Sequence, residues 1–189
     1  ILVEKIFSMD AAWAFTVAAL LWVYLGIQKG QVTQDGLTGL NNRRRLDQYM
    51  WELDERSGER ETCCYLLMDV NKFKKVNDTY GHVTGDEVLR LVAEQLKRTF
   101  GNMQAFLARY GGDEFVVIVK GKTQDEMDVI IHQTQENVNA IAWGADTPWQ
   151  LSISIGCAMR GEQGKQKSHE LLALADERMY RQKKGIQDR

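Results

Sequence analysis

The chain is poor in the residues that mark special architectures. Proline occurs once in 189 residues, which excludes a proline-rich linker and a collagen-like repeat. Cysteine occurs three times, an odd and small number that does not suit a disulfide framework. Cys63 and Cys64 are neighbours in an apolar run, where buried reduced thiols are expected. Neither sign of charge dominates. There are 24 Lys and Arg against 26 Asp and Glu, a net charge of −2, so global charge gives no pull towards nucleic acid. Core-forming residues are not scarce: 44% of the chain is hydrophobic and 26% charged, the balance of a folded domain rather than a disordered tail. At roughly 100–200 residues per domain, this length allows one globular domain and a short appendage. The first residue is Ile1, not methionine, so the chain is read as a piece of a longer protein or as a processed one.

One long hydrophobic run is present. Ala11 to Ile27 holds no charge and no proline, and its seventeen residues would cover about 26 Å as a helix, close to the ~30 Å hydrocarbon core of a bilayer. It is apolar on all sides, and Trp13, Trp22 and Tyr24 suit the membrane interfaces. It is read as a transmembrane helix, with 1–10 as the end of an upstream region and 28–34 as a connector. A buried core helix and a secretory signal peptide are the alternatives. A signal peptide needs a basic start and a small-residue cleavage site, and neither is visible. Lys29, Arg43, Arg44 and Arg45 follow the run, whereas Lys5 before it is offset by Glu4 and Asp10. The positive-inside rule therefore places everything after Ile27 in the cytoplasm.

Beyond this run, helical and strand-like patterns alternate. Arg43–Arg56 carries Leu46, Tyr49, Met50 and Leu53 at helical spacing. Thr62–Val70 reads as a buried strand, Gly85–Phe100 as an amphipathic helix, and Ala105–Ala108 and Glu114–Val119 as strands. Glu126–Ala142 is helical, Gln150–Met159 alternates as a strand does, and Ser168–Lys184 forms a closing helix. The fold class expected is α/β or α+β, with helices packed on a central sheet.

Two carboxylate clusters carry the candidate chemistry. Asp69 emerges at the carboxyl end of the Thr62–Val70 strand, where ligand sites in such sheets tend to lie. The backbone N–H groups of the residues that follow suit an anion at a helix start. The second cluster is Gly111-Gly112-Asp113-Glu114-Phe115, read as a tight hairpin with positive φ at the glycines. Asp113 and Glu114 could be solvated turn residues. If Asp69 lies on the neighbouring strand, however, the clusters converge, and converging carboxylates near phosphates bind Mg²⁺ or Mn²⁺. Such a site suits metal-assisted phosphoryl transfer.

Six motifs, in order from Asp35 to Lys183, resemble the GGDEF family of diguanylate cyclases. Asp35 to Arg44 resembles the opening DxLTGLxNRR, and Asp69 to His82 the DxDxFKxxND(T)xGH segment. Gly85-Asp86 resembles the GD that follows, and Arg109 to Phe115 the signature loop. Ser152 to Gly156 resembles the late strand, and Ala175-Asp176, Met179-Tyr180 and Lys183 the closing helix. The resemblance implies a five-stranded, mainly antiparallel sheet flanked by helices, like the palm of polymerases and nucleotide cyclases. It implies condensation of two GTP into cyclic di-GMP and two pyrophosphates across a homodimer, with Mg²⁺ or Mn²⁺. With the apolar run, it implies a bacterial inner-membrane protein in signal transduction, its catalytic domain (35–189) in the cytoplasm.

Site roles follow from the same resemblance. Asp69 and Asp113 are expected to hold the metal with the Val70 carbonyl, and Glu114 to assist metal binding or deprotonate the 3′-OH. Phe73 and Lys74 offer backbone N–H groups to phosphates, and Asn77 and Asp86 read guanine. Gly111 and Gly112 admit the α-phosphate, and Lys183 reaches the terminal phosphates. His82 is expected to be structural. Three departures stand out. The inhibitory RxxD positions fall on Asn102 and Ala105, so that site is expected to be absent. The second acidic position of DxD is Asn71, and activity is expected to survive. Near the end, the usual arginine position falls at Ile186 or Gln187, with Arg189 as a substitute. The alternative functions are a catalytically weak GGDEF module acting as a nucleotide-binding or signalling scaffold, and a polymerase-like enzyme, which the balanced charge disfavours.

Overall fold

In a computed structural model, the described residues are 13–23, 33–56, 62–143, 150–160 and 166–187. They fall into two compact units that divide between Thr33 and Gln34. In the first, residues 13–23 form helix α1, exposed along its whole length. The rest of the expected span Ala11–Ile27 lies outside the described residues. Among the described residues no helix is long and apolar enough to cross a membrane.

The second unit orders its elements as α2 (Arg43–Glu55), β1 (Cys63–Val70), α3 (Phe73–Phe100), β2 (Ala105–Arg109), β3 (Glu114–Lys120), α4 (Gln124–Asn139), β4 (Ile153–Arg160) and α5 (Ser168–Gln187). The strands form one antiparallel sheet in the order β2-β3-β1-β4. Alternation along β1 builds the two layers. Cys64, Leu66, Met68 and Val70 pack with Val88, Val92 and Leu96 of α3 and Met127 of α4. Cys63, Tyr65 and Leu67 pack with Leu46 of α2 and Leu171, Ala175 and Met179 of α5. All eight β1 residues are buried, which is why the strand reads as one apolar run. The three cysteines are free and buried, as was expected of Cys63 and Cys64, and Cys64 Sγ lies 2.9 Å from Cys157 Sγ.

Among the described residues the sheet has four strands, where the family resemblance implied five. Both of its edges are already engaged. Beside β2, Asn41 makes a single parallel bridge to Ala108, and its amide N–H donates to the Leu107 carbonyl. Asp35 to Gly39 before it closes as a turn, with Gly39 N–H donating to Asp35 O, so no strand extends there. Beside β4, side chains of α5 take the free backbone groups. The Ile155 N–H donates to Gln182 Oε1 at 2.6 Å, and Arg178 donates to the Cys157 carbonyl at 2.5 Å. An edge covered in this way offers no ladder to another strand.

Helix α3 is longer than the periodicity predicts because it is two helices joined across Gly81. There φ is 82° and ψ 164°, a conformation open essentially to glycine alone. The kink turns the Phe73–Tyr80 turns back on the helix that follows. A Cβ placed on Gly85 would lie 1.9 Å from Asn77 Oδ1 and 3.3 Å from the Phe73 ring.

Candidate active site

Antiparallel register places Asp69 at the centre of one cross-strand row. Glu114 is its partner on β3 and Ser154 its partner on β4. Directly opposed side chains share a face, and opposed carboxylates repel. Asp69 is 5% exposed, and its odd position on β1 puts it on the face covered by α5. There Lys183 Nζ donates to Asp69 Oδ1 at 2.7 Å. Burial pushes the Asp69 carboxyl above its ordinary value; the Lys183 ammonium opposes this, and the Asp113 charge adds to it. Burial also pushes Glu114 up, followed by repulsion from Asp69, Asp113 and Asp176, with Lys183 again opposing.

Close docking of α5 accounts for the reach of Lys183. A Cβ on Gly156 would lie 1.9 Å from the Ala175 carbonyl and 2.4 Å from the Met179 nitrogen. Any side chain at position 156 would therefore lift α5 off β4. Gly156 pairs with Leu67, two residues before Asp69, and Lys183 stands two helical turns beyond Ala175.

The hairpin that carries Asp113 and Glu114 spans residues 110–113 between β2 and β3. Positive φ was expected at its glycines; among the described residues it occurs at Gly39, Gly81, Gly121 and Lys72 instead. A Cβ on Gly111 would lie 2.9 Å from Glu114 Oε2, so a side chain there would make the glutamate tip shift. The turn is held from below. Arg109 Nη2 and Nε donate to the Gly112 carbonyl at 2.7 and 3.1 Å, and Nη1 donates to both Asp35 oxygens at 3.2 and 3.3 Å. The Tyr110 N–H donates to the Glu114 carbonyl, and the Val70 N–H to the Asp113 carbonyl at 3.2 Å. These bonds tie the end of β1 directly to the hairpin. The Arg43 guanidinium lies 4.6 Å from the centre of the Tyr110 ring.

The structure brings together Asp69, Val70, Asp113, Glu114 and Lys183, with Gly111 and Gly112 in the hairpin above them. Phe73 and Lys74 open α3 three residues beyond Val70, after Lys72 in the left-handed region at φ 58°, and no side chain caps that start. Asn77 sits over Gly85, next in the chain to Asp86, and Asp86 itself is exposed. His82 is exposed. Lys183 lies on Asp69, where a phosphate contact was expected. Arg189 lies outside the described residues. Two features were not read from the sequence as site parts. One is the Asp35–Arg109 pair, whose members belong to motifs 74 residues apart. The other is the clamp on Asn71: its amide donates to Ser152 Oγ at 3.1 Å and accepts from the buried Ser154 hydroxyl at 2.7 Å.

The donors offered here are all oxygens, which suits a hard divalent cation. Among the described residues no three His, Cys, Asp or Glu side chains stand ready as a cage. Mg²⁺ seldom needs one, because it is usually held by one or two carboxylates together with substrate phosphates. The residues present fit that mode.

Comparison with known proteins gives the class. Residues 32–189 match the family described as "Diguanylate cyclase, GGDEF domain". This chain belongs to the GGDEF family. It is 38% identical over 156 residues to the probable diguanylate cyclase DgcI of Escherichia coli K12, across 80% of this chain and 31% of that protein. It is 34% identical over 161 residues to the diguanylate cyclase DosC of the same strain, across 82% of this chain and 34% of that protein. The chain thus spans about a third of the length of these relatives. The coiled coil and GGDEF domain of DgcB from Caulobacter crescentus, solved in complex with c-di-GMP, aligns with a TM-score of 0.73 at 28% identity, over 94% of this chain and 95% of that one.

Proposed function

We propose that this chain condenses two GTP into cyclic di-GMP with release of two pyrophosphates, each of two facing chains holding one GTP. The observation that carries the reading is the row Asp69–Glu114 on adjacent strands, backed by Lys183 and closed by the glycine hairpin, in a member of the GGDEF family. Asp69, Asp113 and Glu114 would hold Mg²⁺ or Mn²⁺ together with the Val70 carbonyl. A divalent cation there neutralises phosphate charge and activates the attacking oxygen.

The chain's own residues supply the rest. Glu114 has its carboxyl pushed up by burial and by its negative neighbours, which makes it a better base for the proton of the ribose 3′-OH. That oxygen forms a bond to the α-phosphorus of the partner's GTP as the bond to pyrophosphate breaks. The uncapped start of α3 presents backbone N–H groups at Phe73 and Lys74 to phosphate oxygens. Asn77 and Asp86 pair with the guanine edge, and a site left with unpaired polar groups would reject adenine. Lys183 is a point charge for the terminal phosphates. Asn71 holds its place in the clamp of Ser152 and Ser154 as a neutral residue, which supports activity despite the missing second acid.

The test is incubation of the chain, carried on a dimerising fusion, with GTP and Mg²⁺, beside an Asp113→Ala, Glu114→Ala variant. Cyclic di-GMP from the unaltered chain alone is expected. GTP binding without any product would overturn the enzyme reading in favour of a scaffold.

A further inference from the structure

We propose that Lys183 and the divalent cation are alternative partners of Asp69, so that cation binding moves the Lys183 ammonium off the carboxylate and frees it for nucleotide phosphates. The inference rests on the metal-binding half of the function proposed above and adds an order to it.

The geometry behind it is local. Lys183 Nζ is 2.7 Å from Asp69 Oδ1, a charge-assisted hydrogen bond on a carboxylate whose side chain is only 7% exposed. Asp69 has little freedom to turn elsewhere: β1 pairs on both sides through this residue, and the Val70 N–H is tied to Asp113 O. Lys183 is the movable member. Its side chain is 28% exposed, on a flexible four-carbon stem. Its helix is anchored independently, by the Gly156 contact and by Arg178 and Gln182 on β4, so the ammonium can swing without α5 leaving the sheet.

The electrostatics of the row demand one positive partner and tolerate two poorly. Asp69 and Glu114 face each other on adjacent strands, and Glu114 also feels the charges of Asp113 and Asp176. Lys183 acts on both Asp69 and Glu114. A divalent ion held by the same oxygens would sit within a few ångströms of the ammonium. Like charges this close repel at the effective dielectric of a protein surface. The ammonium then leaves, and an incoming triphosphate offers it a new partner. Lys184, the next residue, is placed differently, with Nζ 4.8 Å from the centre of the Tyr180 ring.

The experiment needs no nucleotide. The full chain, Lys183→Met and Lys184→Met are each titrated with Mn²⁺ and followed by the loss of the free-ion electron paramagnetic resonance signal. Melting temperatures are measured in chelator and in Mg²⁺. Removing the competitor is expected to tighten Mn²⁺ binding about tenfold in Lys183→Met and leave Lys184→Met like the unaltered chain. Lys183→Met is also expected to melt lower in chelator, because Asp69 loses its counter-ion, and to gain more from Mg²⁺ than the unaltered chain does. In ¹⁵N-lysine protein, the ammonium resonance that Lys183→Met removes is expected to shift as Mg²⁺ is added. Equal Mn²⁺ affinity in all three proteins, or a resonance unmoved at saturating Mg²⁺, would overturn the exchange while leaving the cyclase reading intact. Mn²⁺ binding to none of them would overturn both the exchange and the metal site.

Discussion

Asp35 and Arg109 set the height of the signature hairpin, and their pairing leaves a pH signature. Burial pushes the Asp35 carboxyl up, but hydrogen bonds from the Thr38 hydroxyl and amide and from Arg109 outweigh it, so the carboxyl ends below its ordinary 3.8. A carboxylate depressed in the fold contributes stability that is fully present above its unfolded value and is lost as pH falls through the folded one. Asp35→Asn is therefore expected to melt lower than the unaltered chain at pH 7, with the gap closing only below about pH 3.8. Thermal denaturation of both proteins from pH 7 to pH 2.5 checks this, and a gap that closes above pH 5 would contradict it. Asn71 acts at the same scale. Its two serine partners satisfy both ends of its amide, so the residue that departs from the acidic pattern is a well-bonded part of the β1–β4 seam.

Among the elements, the tightest constraint is the contact of α5 with β4. Gly156→Ala is expected to push α5 outward, lower stability by about 1–3 kcal/mol, and break the Lys183–Asp69 contact. Urea denaturation measures the first effect and the lysine ammonium resonance the second. A variant as stable as the unaltered chain would contradict the close docking. Elements with strong periodicity were legible in the sequence. The buried run of β1, the apolar stripe of α2 and the strands flanking the hairpin all lie within a residue or two of their expected limits. Two features were not legible, each for a physical reason. The first part of α3, Phe73–Tyr80, is masked by the glycine that kinks the helix, because a kink interrupts the 3.6-residue stripe. The closing of the sheet edges is the second: the four strands read from the sequence are the four among the described residues, a fifth was implied by the resemblance alone, and the edge contacts of Asn41 and of α5 side chains leave no alternating pattern. The convergence of Asp69 with Glu114 was legible only as a condition, that their strands be neighbours. The register meets it, whereas the Lys183–Asp69 contact, 114 residues apart, had no local signal.

For the molecule as a whole, the closed sheet edges bear on how two copies could work together. With β2 and β4 both covered among the described residues, association by extending the sheet has no free ladder. In the proposed reaction, the face carrying Asp69, Glu114 and the hairpin is where a second chain would bring its nucleotide, because one GTP cannot supply both the attacking 3′-oxygen and the partner's α-phosphate. A proximity-controlled reaction of this kind follows chain concentration. The most direct measurement is the rate of cyclic di-GMP formation per chain from GTP and Mg²⁺ across a wide range of protein concentration. A rate per chain that climbs with concentration and then levels off is the predicted result. No cyclic di-GMP at any concentration would contradict the proposed function, and a constant rate per chain down to the most dilute sample would contradict the need for two facing chains.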